Sequence, residues 1–165
     1  MEAQKKILLV DDDIDVLAVV ETILENEGFD VITALNKEEG ILKAGKEKPD
    51  LAILDVMMNT QYEGFELADI LMNNKQLKNM PVLLQTSIEI FESNDDDVMK
   101  YARYCRDNMG AGEMDVLLVQ DFKSGKAGVD YRDTEGKIHW LPVDGFIRKP
   151  VNAKALLDSV KRVLN

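Results

Sequence analysis

Four short apolar runs alternate with longer segments of helical period across the first half of the chain. This alternation restricts the possible folds more than any other feature. Lys6–Val10 is a continuous apolar run with no alternation of polar residues, the pattern of a strand buried on both faces. Ile14, Leu17, Val20, Ile23 and Leu24 follow a helical period that Gly28 closes. Asp30–Ala34 reads as a second strand and residues 36–46 as a helix capped by Asn36. Residues 50–54 form a third strand ending at Asp55, and residues 64–73 form a helix. Residues 81–85 form a fourth strand ending at Thr86 and Ser87. Five-residue strands alternating with helices of ten residues or more predict a parallel sheet with helices on both faces. A last amphipathic helix carries Leu156, Leu157, Val160, Val163 and Leu164.

The 165 residues are 45% hydrophobic, enough for one domain with a proper core, and the composition is not that of a disordered chain. No apolar run is long enough to span a bilayer, and MEAQKK leads into a strand without a secretory segment. The single cysteine, Cys105, excludes an internal disulfide framework and a CxxC metal site. A cytoplasmic protein without membrane association is therefore expected. With 31 acidic and 20 basic residues the net charge is −11, which disfavours direct DNA binding. The lone histidine, His139, is accompanied by no GxSxG, GxxxxGK[ST] or HExxH motif, and is read as an ordinary strand residue beside Trp140.

In open parallel sheets the functional crevice lies beyond the carboxyl ends of the strands. Those positions hold Asp11, Asp12 and Asp13 after the first strand, Asp55 at the end of the third, and Thr86 and Ser87 after the fourth. Adjacent carboxylates repel by about 4 kcal/mol at an effective dielectric near 20. If the first and third strands are neighbours, Asp55 faces Asp11 and Asp12, and this oxygen-only set suits magnesium. Asp13 is read as the cap of the first helix and not as a ligand.

The segments ILLVDDD, PDLAILDVMM, PVLLQTS and DGFIRKPV, in this order, resemble the four motif blocks of the response regulator receiver domain. The resemblance implies a flavodoxin-like, doubly wound (βα)5 α/β fold with strand order 2-1-3-4-5. It also implies that Asp55 accepts a phosphoryl group and that Asp12 binds Mg2+ or Mn2+ directly, with Asp11 acting largely through water. Met57 would complete the metal site through its backbone carbonyl. Thr86 and Lys149 would stabilise the phosphoryl group, and Phe146 would be the aromatic switch position. The implied partners are a sensor histidine kinase or phosphotransfer protein and an unknown downstream protein. The implied chemistry is confined to the domain's own phosphorylation and dephosphorylation, so the chain is not expected to be an enzyme acting on other substrates.

Two departures from that pattern stand out. Asn59 replaces the usual proline, and the loop after Asp55 reaches Gly64 one residue late. Met57 and Ile88, both apolar, occupy positions that in the family govern water access, which suggests slow dephosphorylation. The larger departure is an insertion at about residues 105–143 within a single domain spanning 1–165. Residues 97–107 have helical spacing, residues 114–120 (MDVLLVQ) read as a buried strand, and residues 128–142 read as a hairpin turning at DTEG. That hairpin offers Tyr131, Ile138 and Trp140 as candidate partner contacts. Lys123, after MDVLLVQ, is a weaker rival for the role of Lys149, which Pro150 and the amphipathic helix follow. The chain ends after that helix, so an output through protein binding is expected. Two other functions compete: an adaptor of receiver fold that never uses its aspartate, and a magnesium-dependent phosphatase. The phosphatase usually carries a second aspartate two residues after the nucleophile, where this chain has Met57.

Overall fold

The computed structural model describes residues 3–165 except 57, 59–62, 78, 111 and 113. Two compact units emerge, one comprising residues 1–86 and 146–165 and the other residues 87–145.

In the first unit the chain runs β1 (Lys6–Val10), α1 (Ile14–Asn26), β2 (Asp30–Ala34), α2 (Lys37–Glu47), β3 (Leu51–Asp55), α3 (Glu63–Met72) and β4 (Val82–Thr86). After the second unit it resumes with β9 (Gly145–Arg148) and α5 (Ala153–Leu164). The sheet order is β2-β1-β3-β4-β9, the expected 2-1-3-4-5 order of a flavodoxin-like parallel sheet, with β9 as the fifth strand. One face packs on α1 and α5 through Ile7, Leu9, Ile53, Leu83, Ile147, Leu17, Val20, Leu156 and Val160. On the other face Gly40 of α2 comes so close to Val10 and Leu67 that a Cβ there would lie 3.2 Å and 3.3 Å from their methyl carbons. Each fully buried Leu or Ile contributes about 1.5–3 kcal/mol, and the unbroken apolar runs exist because both sheet faces are covered.

Helix ends follow the side chains that cap them. Asp13 Oδ1 accepts from the N–H groups of Asp15 and Val16, confirming it as the α1 cap. Asn36 and Asn152 do the same for α2 and α5. Gly28, with φ +91°, supplies the left-handed residue that ends α1.

The second unit contains β5 (Ile90–Ser93), α4 (Val98–Asn108), β6 (Val116–Asp121), β7 (Ala127–Arg132) and β8 (Ile138–Val143). These strands form a sheet of their own in the order β5-β6-β7-β8. β5 runs parallel to β6, and the later pairs are antiparallel. Val98, Ala102 and Cys105 of α4 pack on Leu117 and Val119, with Phe91, Tyr101, Met114 and Trp140 around them. The helix, buried strand and hairpin expected at residues 97–142 are all present, and β5 is an addition to them. Among the described residues no helix is long and apolar enough to cross a membrane.

Candidate functional site

The carboxyl ends of β1, β3 and β4 set the site. Leu9 pairs with Ile53 and Ile53 with Leu83, all in one core cluster. Two residues further on, the strand period places Asp11, Asp55 and Gln85 in a row on that same side. Asp11 is 1% exposed and Asp55 5% exposed, while Asp12 faces solvent. One oxygen from each of Asp11, Asp12 and Asp55 lies within 4.8 Å of the others. The Asp13 N–H donates to Asp11 Oδ1 at 2.9 Å, so the helix cap also holds the neighbouring carboxylate in place.

Lys149 follows β9, where its backbone N–H donates to the Thr86 carbonyl at 2.8 Å. Its ammonium Nζ donates to Asp11 Oδ2 at 3.1 Å and to Asp55 Oδ1 at 2.9 Å. Lys123 is exposed after β6, in the second sheet, so the rival assignment fails. Thr86 ends β4 and is buried, and Phe146 is buried in β9. Met57, whose carbonyl the resemblance places on the metal, lies outside the described residues. Sequence reasoning missed the part played by Gly64. A Cβ there would lie 2.2 Å from the Asp55 carbonyl oxygen, so only glycine lets the first turn of α3 approach the end of β3.

Burial pushes the Asp55 carboxyl up to about 6; the hydrogen bond from Lys149 works against this, and the Asp11 charge adds to it. The Lys149 ammonium is raised. Burial acts to lower it, but its hydrogen bonds to Asp55 and Asp11 prevail. Three carboxylates facing one cation leave a negative, oxygen-only pocket, and exposed Asp12 leaves room for retained water. Asp11, Asp12 and Asp55 therefore fit a hard divalent cation, Mg2+ or Mn2+. Such an ion supplies positive charge against phosphoryl oxygens. Because the ligand form of Asp55 is the carboxylate, apparent Mg2+ affinity is expected to be flat above about pH 6. Below that value it should fall by up to about tenfold per pH unit. Calorimetric titration between pH 5 and 8 checks this, and a pH-independent affinity would contradict it.

The structure does not bring the three insertion residues together. Tyr131 lies opposite His139, stacked at 5.2 Å, whereas Trp140 lies opposite Asp130. Strand alternation puts Ile138 and Trp140 on one face and Tyr131 on the other. Trp140 packs on the α4 cluster and lies over Gly128, where a Cβ would come within 2.3 Å of its ring. Ile138 is exposed.

The sequence profile of the response regulator receiver domain matches residues 7–103, and the chain belongs to that family. Domains of this family are phosphorylated and dephosphorylated on an aspartate, and the cluster of Asp11, Asp12 and Asp55 is consistent with that chemistry. Over 83 residues it is 42% identical to the alkaline phosphatase synthesis transcriptional regulatory protein PhoP of Bacillus subtilis, covering 50% of this chain and 33% of PhoP. Over 82 residues it is 29% identical to protein PilG of Pseudomonas aeruginosa, covering 50% of this chain and 60% of PilG. The chain thus spans about a third of the one relative and three-fifths of the other. Among solved structures, Vibrio cholerae chemotaxis protein CheY4 aligns with a TM-score of 0.64 and 25% identity, covering 98% of this chain and 100% of that one. Kinases or phosphotransfer proteins are the partners of such domains.

Proposed function

We propose that Asp55 takes a phosphoryl group from a histidine kinase or phosphotransfer protein and that a downstream protein reads the result. The observation that carries this reading is the Lys149 ammonium set between two buried carboxylates, Asp11 and Asp55. A carboxylate nucleophile and an incoming phosphoryl group are both negative, so alignment and neutralisation dominate the barrier. Asp55 supplies the attacking oxygen. Asp11, Asp12 and Asp55 would hold the metal, and Lys149 follows the phosphoryl oxygens as a compact charge. Thr86 donates its hydroxyl to the new group, and Phe146 changes packing as Thr86 moves. Incubation with acetyl phosphate and Mg2+ should add one phosphoryl group that hydroxylamine removes, as it does an acyl phosphate. An unlabelled chain would instead support the adaptor reading.

An apolar groove of about 320 Å³ lies between α1 and the segment after β9, lined by Val16, Val19, Val20, Pro150 and Val151 and ending at Lys149. Ile14 and Val19 are exposed beside it, which suits a phosphodonor protein that must seat close to Asp55. Val19→Lys should slow transfer from a histidine kinase that labels the wild type by about tenfold, the loss of one interface anchor. Labelling by acetyl phosphate should be unchanged. Equal slowing with both donors would place the defect in the site itself.

The net charge of −11 favours a protein over nucleic acid as the downstream partner. The hairpin of β7 and β8 is the proposed contact, with Ile138 exposed at its turn end, Trp140 supporting it from within, and Tyr131 on the opposite face.

A further inference from the structure

The Gln85 carboxamide has no use in the chemistry above. Gln85 is 1% exposed, and among the described residues its Nε2 and Oε1 are the only buried side-chain polar atoms without a hydrogen-bond partner. A buried amide without partners forfeits its bonds to water, and an apolar side chain of similar volume would avoid that loss. Its neighbours Leu83 and Leu84 are apolar and fully buried.

Its position points to the missing partners. Gln85 pairs with Asp55 in the parallel register of β4 on β3, on the side of the sheet shared with Asp11. Lys149 starts beyond β4, held at the Thr86 carbonyl, and its ammonium reaches Asp55 on β3 and Asp11 on β1. The lysine side chain therefore crosses the end of β4, where Gln85 stands. An ammonium has three N–H donors, and two are directed at Asp11 and Asp55. An amide offers one acceptor for the third and two donors for a carboxyl oxygen, and it adds no charge to a crowded site.

We propose that Gln85 is a positioning residue for phosphoryl transfer at Asp55. In the phosphorylated site its Oε1 accepts from the Lys149 ammonium and its Nε2 donates to the Asp55 side-chain oxygen that does not carry phosphorus. That oxygen changes from a carboxylate oxygen to an acyl carbonyl, which loses its charge and is matched by a neutral N–H donor. The ammonium is then held while it shifts toward the phosphoryl oxygens. This rests on Asp55 being the phosphoacceptor.

The test uses the full chain. In 15N-glutamine-labelled protein, the Gln85 side-chain NH2 signals should move downfield and exchange more slowly with water on addition of Mg2+ and beryllium fluoride, a phosphoryl mimic. Gln85→Leu should melt at or above the wild-type temperature, because an unpartnered amide has been removed. Its phosphorylation by acetyl phosphate should nevertheless slow by about tenfold, the scale expected for a misplaced catalytic group. Amide signals that do not move, or labelling rates within about twofold of wild type, would overturn the proposal. If Gln85→Leu does not fold, the wild-type amide signals decide alone. A wild-type chain that is not labelled at all overturns the Asp55 reading, whereas normal labelling of both proteins overturns only the role of Gln85.

Discussion

Asp55→Asn is expected to abolish phosphoryl labelling and, without divalent cation, to raise the melting temperature at pH 7. The loss is complete because no other described carboxylate ends a buried strand, faces two acidic neighbours and accepts from Lys149. The stability gain follows from linkage. The Asp55 carboxyl titrates near 6 in the folded chain against 3.8 for the free group, so folding favours its protonated form. That favour is fully present below about pH 4, is lost as pH rises toward 6, and leaves a charged, buried carboxylate at pH 7. A carboxyl whose titration midpoint moves by one pH unit on folding changes stability by about 1.4 kcal/mol. With the Lys149 hydrogen bond weakened in the variant, a net gain of about 1–2 kcal/mol is expected. The gain should vanish at pH 4 and shrink when Mg2+ is added to the wild type. Thermal melts at both pH values check this, and a destabilised variant at pH 7 would show that the Lys149–Asp55 pair outweighs the desolvation of Asp55.

Arg106→Ala is expected to cost about 3–5 kcal/mol in the second unit, the typical result of removing one partner of a buried ion pair. Arg106 Nε donates to Asp130 Oδ1 at 3.0 Å, and the two side chains are 8% and 7% exposed. The same guanidinium donates to the carbonyls of Met114 at 2.7 Å and Asp130 at 3.2 Å, tying α4 to β7 and to the entry of β6. Removing it leaves the Asp130 charge buried and takes from the Met114 and Asp130 carbonyls the donor that Arg106 supplies. Hydrogen exchange should accelerate in α4, β6 and β7. A double variant Arg106→Met with Asp130→Leu should recover much of the loss, because apolar replacement of both partners removes the stranded charge. Unchanged protection in Arg106→Ala would mean that the pair contributes little.

The two units differ in how much of them is legible in the sequence, and the reason is physical. β1, β3 and β4 are buried on both faces and therefore read as largely apolar runs; β3 and β4 end at the candidate site residues Asp55 and Thr86, and β1 runs directly into Asp11. The meeting of Asp11, Asp12 and Asp55 follows once β1 and β3 are taken as neighbours, and β1 does pair with β3. β5 is not legible, because IFES is four residues long and becomes a strand only by pairing with β6, more than twenty residues later. The role of Arg106 is hidden as well, since nothing local marks the distant Asp130. Tyr131 and Trp140 look like one aromatic group, and only the hairpin register separates them onto opposite faces. Gln85 at the end of an apolar strand is visible in the sequence, but its lack of partners appears only once the strand is packed.

The central claim is that Asp55 is the residue that carries the phosphoryl group, and the most direct test is chemical. Borohydride reduces an aspartyl phosphate to homoserine. After labelling with acetyl phosphate and Mg2+, reduction followed by peptide mass mapping should place homoserine at residue 55 and nowhere else. Homoserine at any other aspartate, or none in a chain that has gained a phosphoryl group, would contradict the assignment.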